Sequence, residues 1–81
     1  MSNFISPQEP DRVLGSFYSL KMKRKIPHYD DNTNLTKDLG FDSLEIIEFK
    51  LYIERKCKVD IRGDEEIETV LDLKNLLTTV S

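Results

Sequence analysis

One cysteine and one histidine are all that this 81-residue sequence holds of either type. The lone Cys57 excludes an internal disulfide and fits a reducing compartment. His28 stands far from it in sequence, and no further sulfur or imidazole ligand lies near, so a zinc-type cluster is excluded as well. No stretch approaches the roughly 20 apolar residues that cross a bilayer. The opening MSNFISPQEPDR has no apolar run of signal-peptide length. These absences predict a cytoplasmic protein without membrane insertion. Repeats and low-complexity segments are missing too. A net charge of −3 offers no basic face to nucleic acid. The length suits one domain, residues 1–81, expected to be a monomer, with a small helical core and little room for a deep catalytic cleft.

What is present reads as helices. Residues 1–9 look frayed. Ser6 and Glu9 have capping-box spacing, but Pro10 suits a helix start better, because proline is tolerated in the first turn. From Asp11, Val13, Phe17 and Leu20 recur at spacings of four and three, with Leu14 and Tyr18 beside them. Gly15 weakens this helix by about 1 kcal/mol relative to alanine. The basic run KMKRK, residues 21–25, closes it, and Pro27 ends it. A polar loop over 27–42 follows, with Leu35 and Leu39 expected to pin it to the core and Gly40 to supply a left-handed turn.

The second helix is marked at its start. Asp42 can cap it, Glu45 completes a capping box, and Phe41 with Ile46 stands in staple positions. It runs to about Lys56. Arg62-Gly63-Asp64 reads as a turn, with a short helical turn over 64–67. The last helix starts at Thr69, which forms another cap with Asp72, and continues through Leu73, Leu76, Leu77 and Val80. Val59–Ile61 is too brief to imply a sheet. An all-α bundle of three main helices and one short third helix is expected.

Placed at about 100° per residue, Ile46, Phe49, Ile53 and Cys57 fall on one side of the second helix. Leu44, Ile47 and Leu51 fall on nearly the opposite side. Two readings account for the second stripe. Either the helix is central and buried on both sides, or the stripe is exposed and meets a partner.

Ser43 lies at the end of that stripe, in KDLGFDSLEIIEF. A catalytic serine needs a base and a group to orient it. Only His28 is available, and nothing in the sequence aims it at Ser43. GFDSL also resembles the serine motif of the GDSL hydrolases, but those chains are much longer and use a downstream histidine that is absent here. An attachment point is chemically easier, because another enzyme activates the hydroxyl. The first helical turn, with its unpaired amides and positive dipole end, would welcome a phosphodiester. A first-turn serine with no role is the plain alternative.

NLTKDLGFDSLEIIEF resembles the central motif of acyl carrier proteins. The likeness continues through V-D-I to the closing T-V-L-D-L helix. The resemblance implies a four-helix bundle with a short third helix and no catalysis of its own. It implies that Ser43 carries a 4′-phosphopantetheine arm, whose thiol holds an acyl group as a thioester. Asp42 would assist the phosphopantetheinyl transferase. Leu44, Ile47 and Leu51, with the acidic Glu45 and Glu48, would meet acyl-loading and acyl-accepting enzymes. Lys50, Arg55, Lys56 and Lys58 depart from the family's strongly acidic helix. They suggest a specialised free-standing carrier, in fatty-acid, polyketide or related biosynthesis, or one for aminoacyl or peptidyl groups. An unmodified interaction module is the reading from a different class.

Asp30, Asn32 and Asn34 alternate like a calcium loop, but Leu35 replaces its glycine and Phe41 its glutamate, so a solvated turn is expected. Cys57 is expected to be a packed thiol, and His28 a surface residue.

Overall fold

A computed structural model describes residues 4–61 and 66–80, with the side chain of Val80 outside the description. Among these residues there are three helices and no strand: α1 (Pro10–Met22), α2 (Ser43–Cys57) and α3 (Val70–Val80). The turn expected at Arg62-Gly63-Asp64 and the first half of the short helix expected over 64–67 lie outside the described residues. Glu66 and Ile67 are non-helical, so the expected fourth helix is not established.

Pro10 opens α1 as its first residue, with Glu9 before it. The helix ends earlier than the sequence suggests. Lys23 takes a left-handed conformation (φ 60°) and its N–H donates to the Ser19 carbonyl at 3.0 Å, so most of the basic run lies beyond the helix. Val13, Leu14, Phe17 and Tyr18 are buried as their spacing requires. Leu20, expected beside them, is 57% exposed. At about 100° per residue it lies about 90° from the centre of the buried four, at the open margin of the contact with the second helix. The segment before α1 is not wholly frayed. Ile5 is buried, and its N–H donates to the Lys56 carbonyl at 2.7 Å. That contact brings the entry to α1 beside the end of α2.

α1 packs against both α2 and α3, and α2 makes no comparable approach to α3 among the described residues. The central helix is therefore α1. The reading in which α2 buries both of its faces is overturned. Phe17 organises the contact with α2. Its ring lies 4.8 Å from Phe49, 5.3 Å from Tyr52 and, edge-on, 5.5 Å from Phe41. Each such ring removed from water contributes about 1.5–3 kcal/mol, with edge-to-face geometry adding to it.

The loop between α1 and α2 is more ordered than its polar composition suggests. The Asn34 side chain accepts from the N–H groups of Thr36 and Lys37, and Asp38 accepts from the N–H of Asn34 at 2.7 Å. Leu35 and Leu39 are buried, as expected. The Asp30–Thr33 segment is a side-chain-bonded turn, with Asp30 accepting from the Asn32 N–H. The loop also closes the start of α3. Carbonyls of Thr33 and Asp31 accept from the N–H groups of Val70 and Leu71, which have no partner within their own helix. Thr69 and Asp72 exchange hydrogen bonds there as the capping box requires. Lys74 pairs with Asp31 at 2.6 Å across the same junction, and this bond raises the ammonium pKa.

Candidate functional site

The site is set by how α2 begins. Phe41 is buried against Phe17 and Tyr18. Gly40 precedes it at φ 82°, a conformation that side-chain-bearing residues rarely adopt. Asp42 then takes an extended backbone and caps the helix. Its Oδ1 accepts from the Glu45 N–H at 2.8 Å, while Glu45 Oε1 accepts from the Asp42 N–H at 3.0 Å. Phe41 anchors one side of the chain, and the next residues emerge into water. Ser43, the first residue of α2, is exposed.

The capping box leaves the N–H groups of Ser43 and Leu44 without a protein acceptor among the described residues. These two amides sit at the positive end of the helix dipole and suit an anionic group on the Ser43 oxygen. Beside Ser43 lies an open groove of about 350 Å³, lined by Ile46, Ile47 and Ile67 with Thr36 and Glu68 at its polar edge. His28 is exposed in the loop, and no hydrogen bond connects it to Ser43 among the described residues.

The two faces of α2 separate as the periodicity predicts. Phe49, Ile53 and Cys57 are buried and Ile46 is half-buried against the core. Burial pushes the Cys57 thiol above its ordinary pKa, because the thiolate is the form that loses hydration. On the other face Leu44 is 63%, Ile47 55% and Leu51 52% exposed. Ile47 lines the groove beside Ser43, whereas Leu51 lines a second one with Leu20 on α1. The two acids expected there are engaged within the chain. Glu45 belongs to the capping box, and Glu48 pairs with Lys21 at 2.9 Å.

Sequence reasoning missed Thr36, Ile67 and Glu68 at the first groove, and Leu20 and Lys21 at the second. Leu20 carried a signal in its angular offset. The others are brought in by the loop and by packing between helices, which no local pattern encodes.

The described residues thus form an all-helical fold with Ser43 in solvent at the capped start of a helix. The chain belongs to the phosphopantetheine attachment site family, which matches residues 20–77. Members of this family carry 4′-phosphopantetheine covalently on a serine, and the domain is a carrier domain, not a catalytic one. No curated protein matches the chain. Among the described residues, no helix is long and apolar enough to cross a membrane.

Proposed function

We propose that residues 1–81 form one acyl carrier domain with its 4′-phosphopantetheine arm on Ser43. One observation carries the assignment: Ser43 is the only serine in the matched stretch 20–77, and it is exposed at the first position of α2. The phosphodiester would face the free amides of Ser43 and Leu44. Asp42 commits Oδ1 to the Glu45 N–H and keeps Oδ2 for a phosphopantetheinyl transferase, which it assists during modification. Once attached, the arm supplies a thiol that holds an acyl group as a thioester.

The chain itself performs no catalysis in this reading. It presents the arm and is recognised. Leu44, Ile47 and Leu51, flanked by Glu45 and Glu48, form the face that meets acyl-loading and acyl-accepting enzymes of fatty-acid, polyketide or related specialised biosynthesis. We place the protein in the cytoplasm, as a monomer.

Intact mass tests the assignment. Co-expression with a broad-specificity phosphopantetheinyl transferase adds one phosphopantetheinyl group to the chain, and Ser43→Ala abolishes the gain. An unchanged wild-type mass would leave an unmodified helical interaction module instead. The group released from the thioester on protein from the native host then separates an acyl from an aminoacyl cargo.

A further inference from the structure

The charges around the exposed stripe of α2 are not those that its sequence suggests. Every acid on α2 is engaged inside the chain: Glu45 in the capping box, Glu48 with Lys21, and Glu54 as acceptor of the Ile61 N–H at 2.9 Å. Arg55 is exposed, and among the described residues no carboxylate pairs with it. Lys23 and Lys25, just beyond α1, are exposed and have no such partner either. Hydrogen bonding leaves Glu45 and Glu54 anionic, but at the groove between Leu20 and Leu51 the charge of Glu48 is offset by Lys21, and Arg55 is the lining charge without a partner among the described residues.

The apolar surface also extends past α2. Leu20 and Leu51, each more than half exposed, line one groove of about 210 Å³ between α1 and α2. Phe17 and Tyr52 contribute to its walls, with Arg55 at its margin. Leu51 continues through Ile47 to Leu44 at helical spacing. The patch thus runs from α1 to the start of α2, where Ser43 stands. A concave groove with aromatic walls accepts protruding side chains better than it accepts a flat bilayer surface.

We propose that this α1–α2 face docks a partner helix whose apolar side chains are flanked by carboxylates, with Arg55 as the ion-pair donor. The partner would be one of the enzymes that handle the arm, and in that respect the inference rests on the carrier reading. Leu20 and Leu51 receive the apolar side chains. An arginine beside a buried apolar contact concentrates binding energy, and complementary charge raises the association rate.

The test uses unmodified protein and methyl NMR. Two synthetic amphipathic helical peptides share one leucine stripe. One carries glutamates on its flanks and the other lysines. Vesicles of phosphatidylglycerol and phosphatidylcholine form a third arm. The glutamate peptide is expected to shift the methyls of Leu20, Ile47 and Leu51, and to bind less tightly as salt rises. Arg55→Glu is expected to weaken it about tenfold or more and Arg55→Gln by less, while Arg55→Lys keeps most of the affinity. Circular dichroism checks that each variant is folded. Equal or tighter binding of the lysine peptide would overturn the proposal, as would unmoved Leu20 and Leu51 methyls. The same holds if only the vesicles shift them. Because no arm is needed, arm uptake without glutamate-peptide binding removes this proposal alone. Peptide binding without arm uptake removes the carrier reading alone.

Discussion

Asp42 and Glu45 exchange hydrogen bonds across the first turn of α2, each carboxylate accepting from the other residue's N–H, at 2.8 and 3.0 Å. The exchange fixes where the helix starts and so where Ser43 points. Asp42→Ala is expected to cost about 1 kcal/mol, whereas Asp42→Asn, which keeps a capping oxygen, costs a few tenths at most. Urea denaturation measures both. If the carboxylate also serves the transferase, Asp42→Asn slows arm uptake far more than its stability change explains. Equal uptake by Asp42→Asn and wild type would confine Asp42 to capping.

Ile47 and Ile53 lie on opposite faces of the same helix, 55% and 0% exposed. Ile53→Asp would place a lone charge in the core and is expected to cost more than about 4 kcal/mol, enough to unfold a domain of this size. Ile47→Asp is expected to leave circular dichroism and the melting temperature nearly unchanged while weakening partner binding. A larger loss of helicity for Ile47→Asp would reverse the assignment of the two faces.

Gly15 and Gly40 are expected to respond to alanine with opposite signs. A Cβ at Gly15 would meet Ile26 Cγ2 at 3.9 Å, an ordinary contact, so Gly15→Ala in mid-helix adds about 0.5–1 kcal/mol of stability. Gly40 has open space around it, but its φ of 82° penalises any side chain, and Gly40→Ala costs about 1 kcal/mol or more. Thermal melts of the two variants check both directions.

The buried Cys57 thiol makes stability depend on alkaline pH. Its pKa is raised in the folded chain, so the folded state keeps a proton that the unfolded state releases. Its contribution is complete below the free thiol range, about 8.5, and is lost as pH rises from there towards the folded value. Wild type is therefore expected to lose more stability between neutral and alkaline pH than Cys57→Ala does. A thiol-specific reagent should label the native protein slowly and the guanidinium-unfolded protein fast. Native labelling at the unfolded rate would show that the thiol is accessible.

Much of this was legible locally. Caps at Asp42 and Thr69 depend on residues three apart, and the burial of Phe49, Ile53 and Cys57 follows from helical period alone. The left-handed turn at Gly40 was visible for the same reason, since only its own backbone is involved. The misjudged positions depend on distant neighbours. Leu20 fits the apolar spacing but lies at the open margin of the α1–α2 contact, and Ile5, in a segment that looks frayed, is held by the Lys56 carbonyl.

The sequence by itself determined a capped helix with Ser43 at its first position and two apolar stripes, because hydrogen bonding within one turn and side-chain spacing around one helix are local properties. Only the tertiary structure decided that α1 occupies the centre. That placement leaves Leu44, Ile47 and Leu51 in water and joins them to Leu20. It also sets Lys21 against Glu48, and so leaves Arg55 as the charge at the α1–α2 groove without a partner among the described residues. Such outcomes follow from which helix packs on which, and a side chain is buried or paired only when another part of the chain comes to meet it.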